Sequence, residues 1–278
     1  MRVDIGIACN KNQEKEWWAR LVPELLRVAA EGKVELGQFI AVGSALTDHN
    51  RNHIVGHFLE GEAEAIWWID DDVVPPSGTL EALVGLEVDI AAGVYFLRKP
   101  PCNPVVYARL EGGLYRPLWE YQQGEIIRAD SVGMGCTLIR RCVYERIREE
   151  YAVFRRVRNG TVVLVHREDV VETRMVARQV RRQAGKVLKR PGERGSAWLL
   201  EELVGPVEPP EVWPFYALEY GRTEDHYFCE MARRVGFEIV VDTGIECAHW
   251  GCQPVTGKSF REMREWHKQE AGSLKAIQ

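Results

Sequence analysis

Apolar residues alternate with polar or small ones from the start of the chain. Val3, Ile5 and Ile7 interleave with Asp4, Gly6 and Ala8 and predict a strand that ends near Cys9-Asn10. A helix is expected from about Glu14 to Ala30 and a second strand over Val34 to Val42. In the stretch Arg51 to Leu59, the residues Ile54, Val55, Phe58 and Leu59 fall at helical spacing, with Asp48 or Asn50 as the cap. The unbroken run Ile66-Trp67-Trp68-Ile69 then predicts a buried strand, which continues through Asp70-Asp71-Asp72-Val73-Val74 until Pro75 and Pro76 stop it. Leu80, Leu83, Val84 and Leu86 mark a further helix, and Asp89 to Phe96 a further strand. Such a βαβαβαβ alternation predicts an α/β fold whose central sheet is mainly parallel and covered by helices.

The periodicity weakens after Arg98-Lys99-Pro100-Pro101-Cys102-Asn103-Pro104. Short strands are expected at Val105 to Tyr107 and Glu125 to Ala129, and a Gly-broken strand at Val132 to Ile139. Helices are expected at Cys142 to Glu150 and Val170 to Leu188, followed by an extended Pro-rich connector from Gly205 to Pro214. Thr223 is placed to cap a helix whose first turn carries Glu224 and Asp225, where the helix dipole favours acids. No boundary is clean enough to divide the chain. One domain over residues 1–278 is expected, with a first half at 1–110, a second at 111–252 holding a basic insertion at about 151–211, and a helical tail at 253–278.

The chain's 278 residues are 46% hydrophobic and 28% charged, as in a globular protein. Met1-Arg2-Val3-Asp4 has no secretory pattern and no apolar run is long enough to cross a bilayer, so a soluble, cytoplasmic protein without a membrane span is expected. Seven cysteines without a Cys-x-x-Cys pair argue against a disulfide framework, and Cys247, His249 and Cys252 lack the second pair that a zinc knuckle needs. The net charge of −5 is unevenly spread. Between Ala152 and Ser196 twelve bases meet four acids, a surplus of eight that leaves −13 elsewhere. A polyanionic partner, or a basic solvated helix offsetting an acidic body, fits that asymmetry.

Alternation along a strand puts Asp70 and Asp72 on one face and Asp71 on the other. Two carboxylates converging at a strand's carboxyl end suit a divalent cation with hard oxygen ligands, Mg²⁺ or Mn²⁺, at the position where open α/β sheets bind ligands. An acidic, solvated turn is the alternative.

The ordered set Arg51-Asn52, Asp70-x-Asp72, Gly133-x-Gly135, Glu224-Asp225 ahead of Phe228-Cys229-x-x-Ala232-Arg233-x-x-Gly236-Phe237, and His249-x-Gly251 resembles the GT-A-fold, family-2-like glycosyltransferases. The stretch Arg51 to Tyr107 is especially similar to bacterial and phage-encoded members. The resemblance covers roughly residues 1–110 and 130–252 and leaves the basic insertion outside it. It implies a GT-A-type nucleotide-binding fold and transfer of a sugar from a nucleotide sugar such as a UDP- or GDP-sugar. Asp70, Asp72 and His249 would hold Mn²⁺ or Mg²⁺ against the diphosphate. Asp225, or else Glu224, would be the base on the acceptor hydroxyl. Cys9, Asn10, Ser44, Arg51, Asn52 and Asp71 would lie along the nucleotide, and Gly133 and Gly135 would let backbone approach the sugar. Arg51 could pair with phosphate, be braced by the metal-site acids, or simply tie a helix end. Trp213, Phe215, Tyr216 and Tyr220 could stack on sugar or acceptor, or form core.

The acceptor expected is either a polysaccharide, lipid-linked or small glycoside, or DNA with hydroxymethylated bases, as the basic segment suggests. A nucleotidyltransferase also uses paired acids at a strand end, but no Gly-rich loop with a following base stands near the first strand. The intact acids and His249 argue against a non-catalytic binding module.

Overall fold

The computed structural model describes residues 1–9, 15–43, 46–156, 162–169, 203–204, 210–218, 222–250, 256–261 and 264–265. Its strands are β1 (Arg2–Cys9), β2 (Glu35–Gly43), β3 (Ala65–Ile69), β4 (Val73–Val74), β5 (Ile90–Val94), β6 (Val106–Arg109), β7 (Tyr115–Pro117), β8 (Ile126–Ala129), β9 (Ser131–Val132), β10 (Cys136–Arg140), β11 (Tyr151–Arg156), β12 (Val162–His166), β13 (Leu203–Val204), β14 (Ile239–Glu246) and β15 (Ala248–His249). The helices used below are α1 (Lys15–Glu31), α2 (Thr47–Glu60), α3 (Thr79–Gly85), α4 (Arg141–Glu150) and α5 (Glu224–Arg234). Among the described residues no helix is long and apolar enough to cross a membrane.

The chain divides into two compact units, Met1–Tyr144 with Tyr216–Gln278, and Glu145–Phe215. In the first, seven strands form one sheet in the order β2-β1-β3-β10-β5-β14-β8. The pairs β1/β2, β1/β3 and β5/β14 are parallel and only β10 and β8 run against the other five strands, so the sheet is mixed and mostly parallel, as the alternation of elements predicts. Strand β10 runs antiparallel between β3 and β5, with Leu138 opposite Trp67 and Thr137 opposite both Trp68 and Ala92. Every residue of β3 and of β5 is buried. That explains their continuous apolar sequence, since a strand covered on both faces has no polar side to show.

The strand through the acids is shorter than the sequence predicts. It stops at Ile69, and Val73 N–H bonds the Asp70 carbonyl at 3.0 Å, so Asp70 to Val73 form a turn. The α2 helix also begins earlier than expected, at Thr47, and its N-cap Leu46 supplies no side-chain bond. Neither expected cap acts as one. Asp48 lies inside the first turn, and the buried Asn50 amide donates to the Cys9 carbonyl at 3.3 Å. The other end of α2 is closed from a distance, where the Arg141 guanidinium donates to the carbonyls of Phe58, Leu59 and Gly61.

A polar thread crosses this core. Trp68 Nε1 donates to Tyr144 Oη at 2.9 Å, which lies 3.0 Å from Tyr216 Oη, while the Asn52 amide both donates to and accepts from the Tyr216 backbone at 2.8 Å.

The second unit contains a three-stranded antiparallel sheet in the order β12-β11-β13. There the Trp213 and Phe215 rings stack on one another and Arg148 lies over Trp213 at 5.1 Å. The described part of the expected basic insertion is therefore mainly strand, with residues 167–169 helical. The helix expected over Val170 to Leu188 lies outside the described residues, as does most of the 253–278 tail.

Candidate active site

A cleft of about 300 Å³ lies beyond the carboxyl ends of β1, β3 and β5, lined by Ala8, by Asp70 to Asp72, and by Tyr95, Leu97 and Arg98. Because β1 sits between β2 and β3, the chain reverses its direction of winding at β1, and the cleft occupies that switch point. Its far wall is Tyr107 and the start of α5, from Thr223 to His226, and His249 completes it.

The acids reach the cleft through the turn rather than through strand alternation. Asp71, expected on the opposite face, lines the cleft with Asp70 and Asp72. Glycine makes the turn's support possible. Asp70 N–H bonds the Gly135 carbonyl at 3.4 Å, and Gly135 N–H bonds Tyr95 Oη at the same distance. A Cβ on Gly133 would stand 1.9 Å from Tyr95 Oη, and one on Gly135 2.9 Å from Tyr95 Cζ. The two glycines thus seat Tyr95 and do not themselves line the cleft, contrary to the sugar contact expected of them.

His249 is brought to the acids by a two-residue ribbon. Strand β15 pairs with β4, placing His249 opposite Val73, and Trp250 N–H bonds the Asp72 carbonyl at 2.6 Å. His249 Nδ1 is 2.7 Å from the Phe96 carbonyl, which can only accept, so Nδ1 carries the hydrogen. In a neutral ring Nε2 is then a bare lone pair, and it faces Asp72 Oδ2 at 3.3 Å. Two acceptors at that distance need a proton or a metal ion between them. An imidazole whose other nitrogen donates to a backbone carbonyl is the usual form of a metal-bound histidine.

Arg51 is only 2% exposed and is encircled by acids. Its Nη2 donates to Asp70 at 2.9 Å, while Nε stands 3.6 Å from Asp225 and 3.7 Å from Glu224. The Trp68 and Tyr216 rings flank the guanidinium at 5.5 and 5.9 Å. Burial alone would lower its pKa, but Asp70, Asp225 and Glu224 together drive it well above the ordinary arginine value. Of the sequence alternatives, Arg51 is braced by the site's acids. Three carboxylates around one guanidinium leave an excess of negative charge, which favours a proton on Asp225. Burial raises its pKa well above the usual carboxylate range; Arg51 opposes this, Glu224 and Asp70 add to the rise, and the Met134 backbone hydrogen bond lowers it. Its Oδ1 is buried without a hydrogen bond among the described residues.

Thr223 caps α5 by accepting from His226 N–H at 3.4 Å, which fixes Glu224 and Asp225 in the first turn. His226 also lines the cleft. Its ring stacks on Tyr115 at 4.0 Å and meets Tyr107 edge-on at 4.7 Å, with Nδ1 2.7 Å from Ser131 Oγ. Burial pushes its pKa down to about 4, with Glu230 opposing and Arg222 adding to the fall.

Among the described residues, five carboxylates and two guanidiniums therefore line one cavity. Among the described residues no group of three or more His, Cys, Asp and Glu side chains is arranged as a metal cage, and Asp70 is paired with Arg51. The donor set that remains, one carboxylate and one imidazole beside a second carboxylate, fits a divalent ion that takes its other ligands from a bound phosphate, as Mg²⁺ commonly does.

Other expected site residues lie elsewhere. Asn52 is buried and spent on the Tyr216 backbone, and Cys9 is buried with its thiol toward the Ile7 carbonyl. Asn10, Ser44 and Tyr220 are outside the described residues. Tyr216 belongs to the core, stacked on Phe228 at 5.0 Å, and forms no wall of the cleft. Sequence reasoning passed over Tyr95, Arg98, Tyr107 and His226. The first two follow the carboxyl end of β5, and that position alone could have marked them; the other two carried no local signal.

No protein-family profile matches the chain, and no curated protein matches its sequence. Among solved structures, A197 from STIV is similar over 90% of this chain and 86% of its own, at 16% identity and a TM-score of 0.46. A structure of GalNAc-T7 with UDP, GalNAc and Mn²⁺ is similar over 95% of this chain, at 8% identity and a TM-score of 0.42. The match spans 47% of the GalNAc-T7 chain.

Proposed function

We propose that this chain is a metal-assisted glycosyltransferase that moves a sugar from a nucleoside diphosphate sugar to an acceptor hydroxyl. The observation that carries the reading is the meeting, in one cleft, of the Asp72–His249 acceptor pair with a partly buried carboxylate of raised proton affinity, Asp225. A cleft with so many acids repels a bare diphosphate, so a cation has to accompany it. Asp72 and His249 would hold Mn²⁺ or Mg²⁺, with Asp70 beside them. Once bound, such an ion withdraws charge from the departing diphosphate.

The chain's own groups do the rest. Arg51 fixes Asp70 and limits the charge of the acid cluster. Asp225 takes the acceptor's proton, and its raised pKa makes it a stronger base than an ordinary carboxylate, nearer to what general-base chemistry at neutral pH requires. Tyr107 and His226 stand beside it and offer an aromatic edge for a sugar ring. The basic segment between Ala152 and Ser196 keeps DNA among the acceptors to be tested.

The test is a screen of UDP- and GDP-sugars for Mn²⁺-dependent hydrolysis and for transfer to glycans or to hydroxymethylcytosine DNA, alongside thermal melting with UDP or GDP. Mn²⁺-dependent turnover and stabilisation that both disappear in Asp72→Ala are expected. Stabilisation at one hundred times the dissociation constant is worth about 2.7 kcal/mol. The same melting shift in EDTA as in Mn²⁺, with no donor consumed, would remove the reading.

A further inference from the structure

Of the two guanidiniums among the described residues of the cleft, Arg51 cannot serve a ligand. It is enclosed, and moving it would strip three partly buried carboxylates of their counter-charge. Arg98 differs in every respect. Its side chain is 52% exposed, and it is held by Asp72 Oδ2 at 3.1 Å and the Trp250 carbonyl at 3.3 Å, contacts at a solvated rim that are weak individually. Its backbone is fixed, because Leu97 N–H bonds the Asn103 carbonyl at 2.9 Å, Cys102 N–H bonds the Lys99 carbonyl at 2.9 Å, and Phe96 bridges to Pro104. Only the side chain has room to move.

The oxygen that Arg98 holds is the same Asp72 Oδ2 that faces His249 Nε2 at 3.3 Å. A divalent ion on that oxygen would stand next to a guanidinium, and like charges at such a separation repel. Arg98 and the ion thus compete for one atom. A guanidinium displaced from Asp72 remains within its own reach of the ion's other ligands, and its planar fork suits phosphate oxygens better than an ammonium does.

Resting on the function proposed above, we propose that Arg98 is the positioning residue for the diphosphate: it holds Asp72 in competition with the divalent ion and exchanges that carboxylate for the phosphates when ion and nucleotide bind together. Removal of Arg98 then has opposite effects on two equilibria. Mn²⁺ alone binds more tightly, because its competitor is gone, and the nucleotide in saturating Mn²⁺ binds more weakly, because a charged donor is lost. A merely structural side chain moves both in one direction or neither.

The experiment measures Mn²⁺ binding by electron paramagnetic resonance, then UDP and GDP binding at saturating Mn²⁺ by calorimetry, for the full chain and for Arg98→Ala and Arg98→Lys. Arg98→Ala is expected to tighten Mn²⁺ several-fold and to weaken the nucleotide by about 10- to 100-fold, the usual range for a lost charged hydrogen bond. Arg98→Lys keeps the competing charge without the fork, so its Mn²⁺ affinity stays near that of the parent while its nucleotide affinity falls between. Changes of the same sign, or none, in Arg98→Ala overturn this inference and leave the proposed function standing when the parent chain binds Mn²⁺ and nucleotide. A parent chain that binds neither overturns both.

Discussion

Arg51 Nη2 donates to Asp70 Oδ1 at 2.9 Å from a side chain that is 2% exposed, joining α2 to the turn that follows β3. The guanidinium's Nε and Nη1 are buried without hydrogen bonds among the described residues, and Nε faces Glu224 and Asp225 only at ion-pair distance. The charge at the centre of the site is therefore arranged for electrostatics more than for hydrogen bonding.

Removing that charge leaves three acids without their shared partner. Arg51→Ala is expected to destabilise the fold by about 3–5 kcal/mol, the cost typical of breaking a buried ion pair from one side. Urea unfolding at pH 7 checks it. A loss below about 1 kcal/mol would mean that the acids relax into solvent and that the bracing is dispensable.

Asp225 links function to pH. Its folded pKa lies above the unfolded value, so the folded chain holds a proton that the unfolded chain has already lost once the pH exceeds about 4. Stability conferred by that proton is present at low pH and falls as pH rises through the folded pKa. Asp225→Asn should therefore melt higher than the parent near pH 8, with the difference closing toward pH 4. The same substitution should lower transfer by about 10²- to 10⁴-fold while leaving nucleotide affinity in place. In the parent chain, turnover should rise with a midpoint above the ordinary carboxylate range. Parallel melting profiles for parent and Asn variant at all pH values would contradict the assignment.

His226 gives the opposite slope. Its folded pKa of about 4 lies below the ordinary value of 6.5, so the unfolded chain takes up a proton first as the pH falls. The associated stability is complete above pH 6.5 and is lost as the pH drops through about 4. His226→Gln should flatten the part of the acid-denaturation curve between those limits, read by circular dichroism. Retention of the full acid sensitivity in the variant would place its origin in other groups.

The fit of Gly133 to Tyr95 can be tested by a double-mutant cycle. Gly133→Ala puts a methyl group where Tyr95 Oη lies, and a cost of about 1–3 kcal/mol is expected from overpacking. Tyr95→Phe removes the clashing oxygen, so the double variant should be less destabilised than the sum of the single ones. Strict additivity would show that the collision is relieved by backbone movement instead.

What the sequence determined by itself is what neighbouring residues settle among themselves. The apolar runs of β1, β3 and β5, the acids that follow β3, and the Thr223 cap with Glu224 and Asp225 behind it all depend on periodicity or on a side chain reaching its own backbone. Tertiary structure decided which of these groups meet. No local pattern reports that β10 enters antiparallel between β3 and β5, because its Cys136-Thr137-Leu138-Ile139 would be equally apolar in either direction. Strand alternation could not reveal the turn at Asp70, which is held by Gly135 from another segment. Asn52 had the chemistry of a nucleotide contact and Tyr216 that of a stacking platform, yet the two are spent on each other inside the core. The pairings of Arg51 with three acids, and of His249 with Asp72, join residues far apart in sequence. They exist because packing the sheet and its β4/β15 ribbon brings those side chains together, and the burial and charge balance that set the proton affinity of Asp225 arise only there.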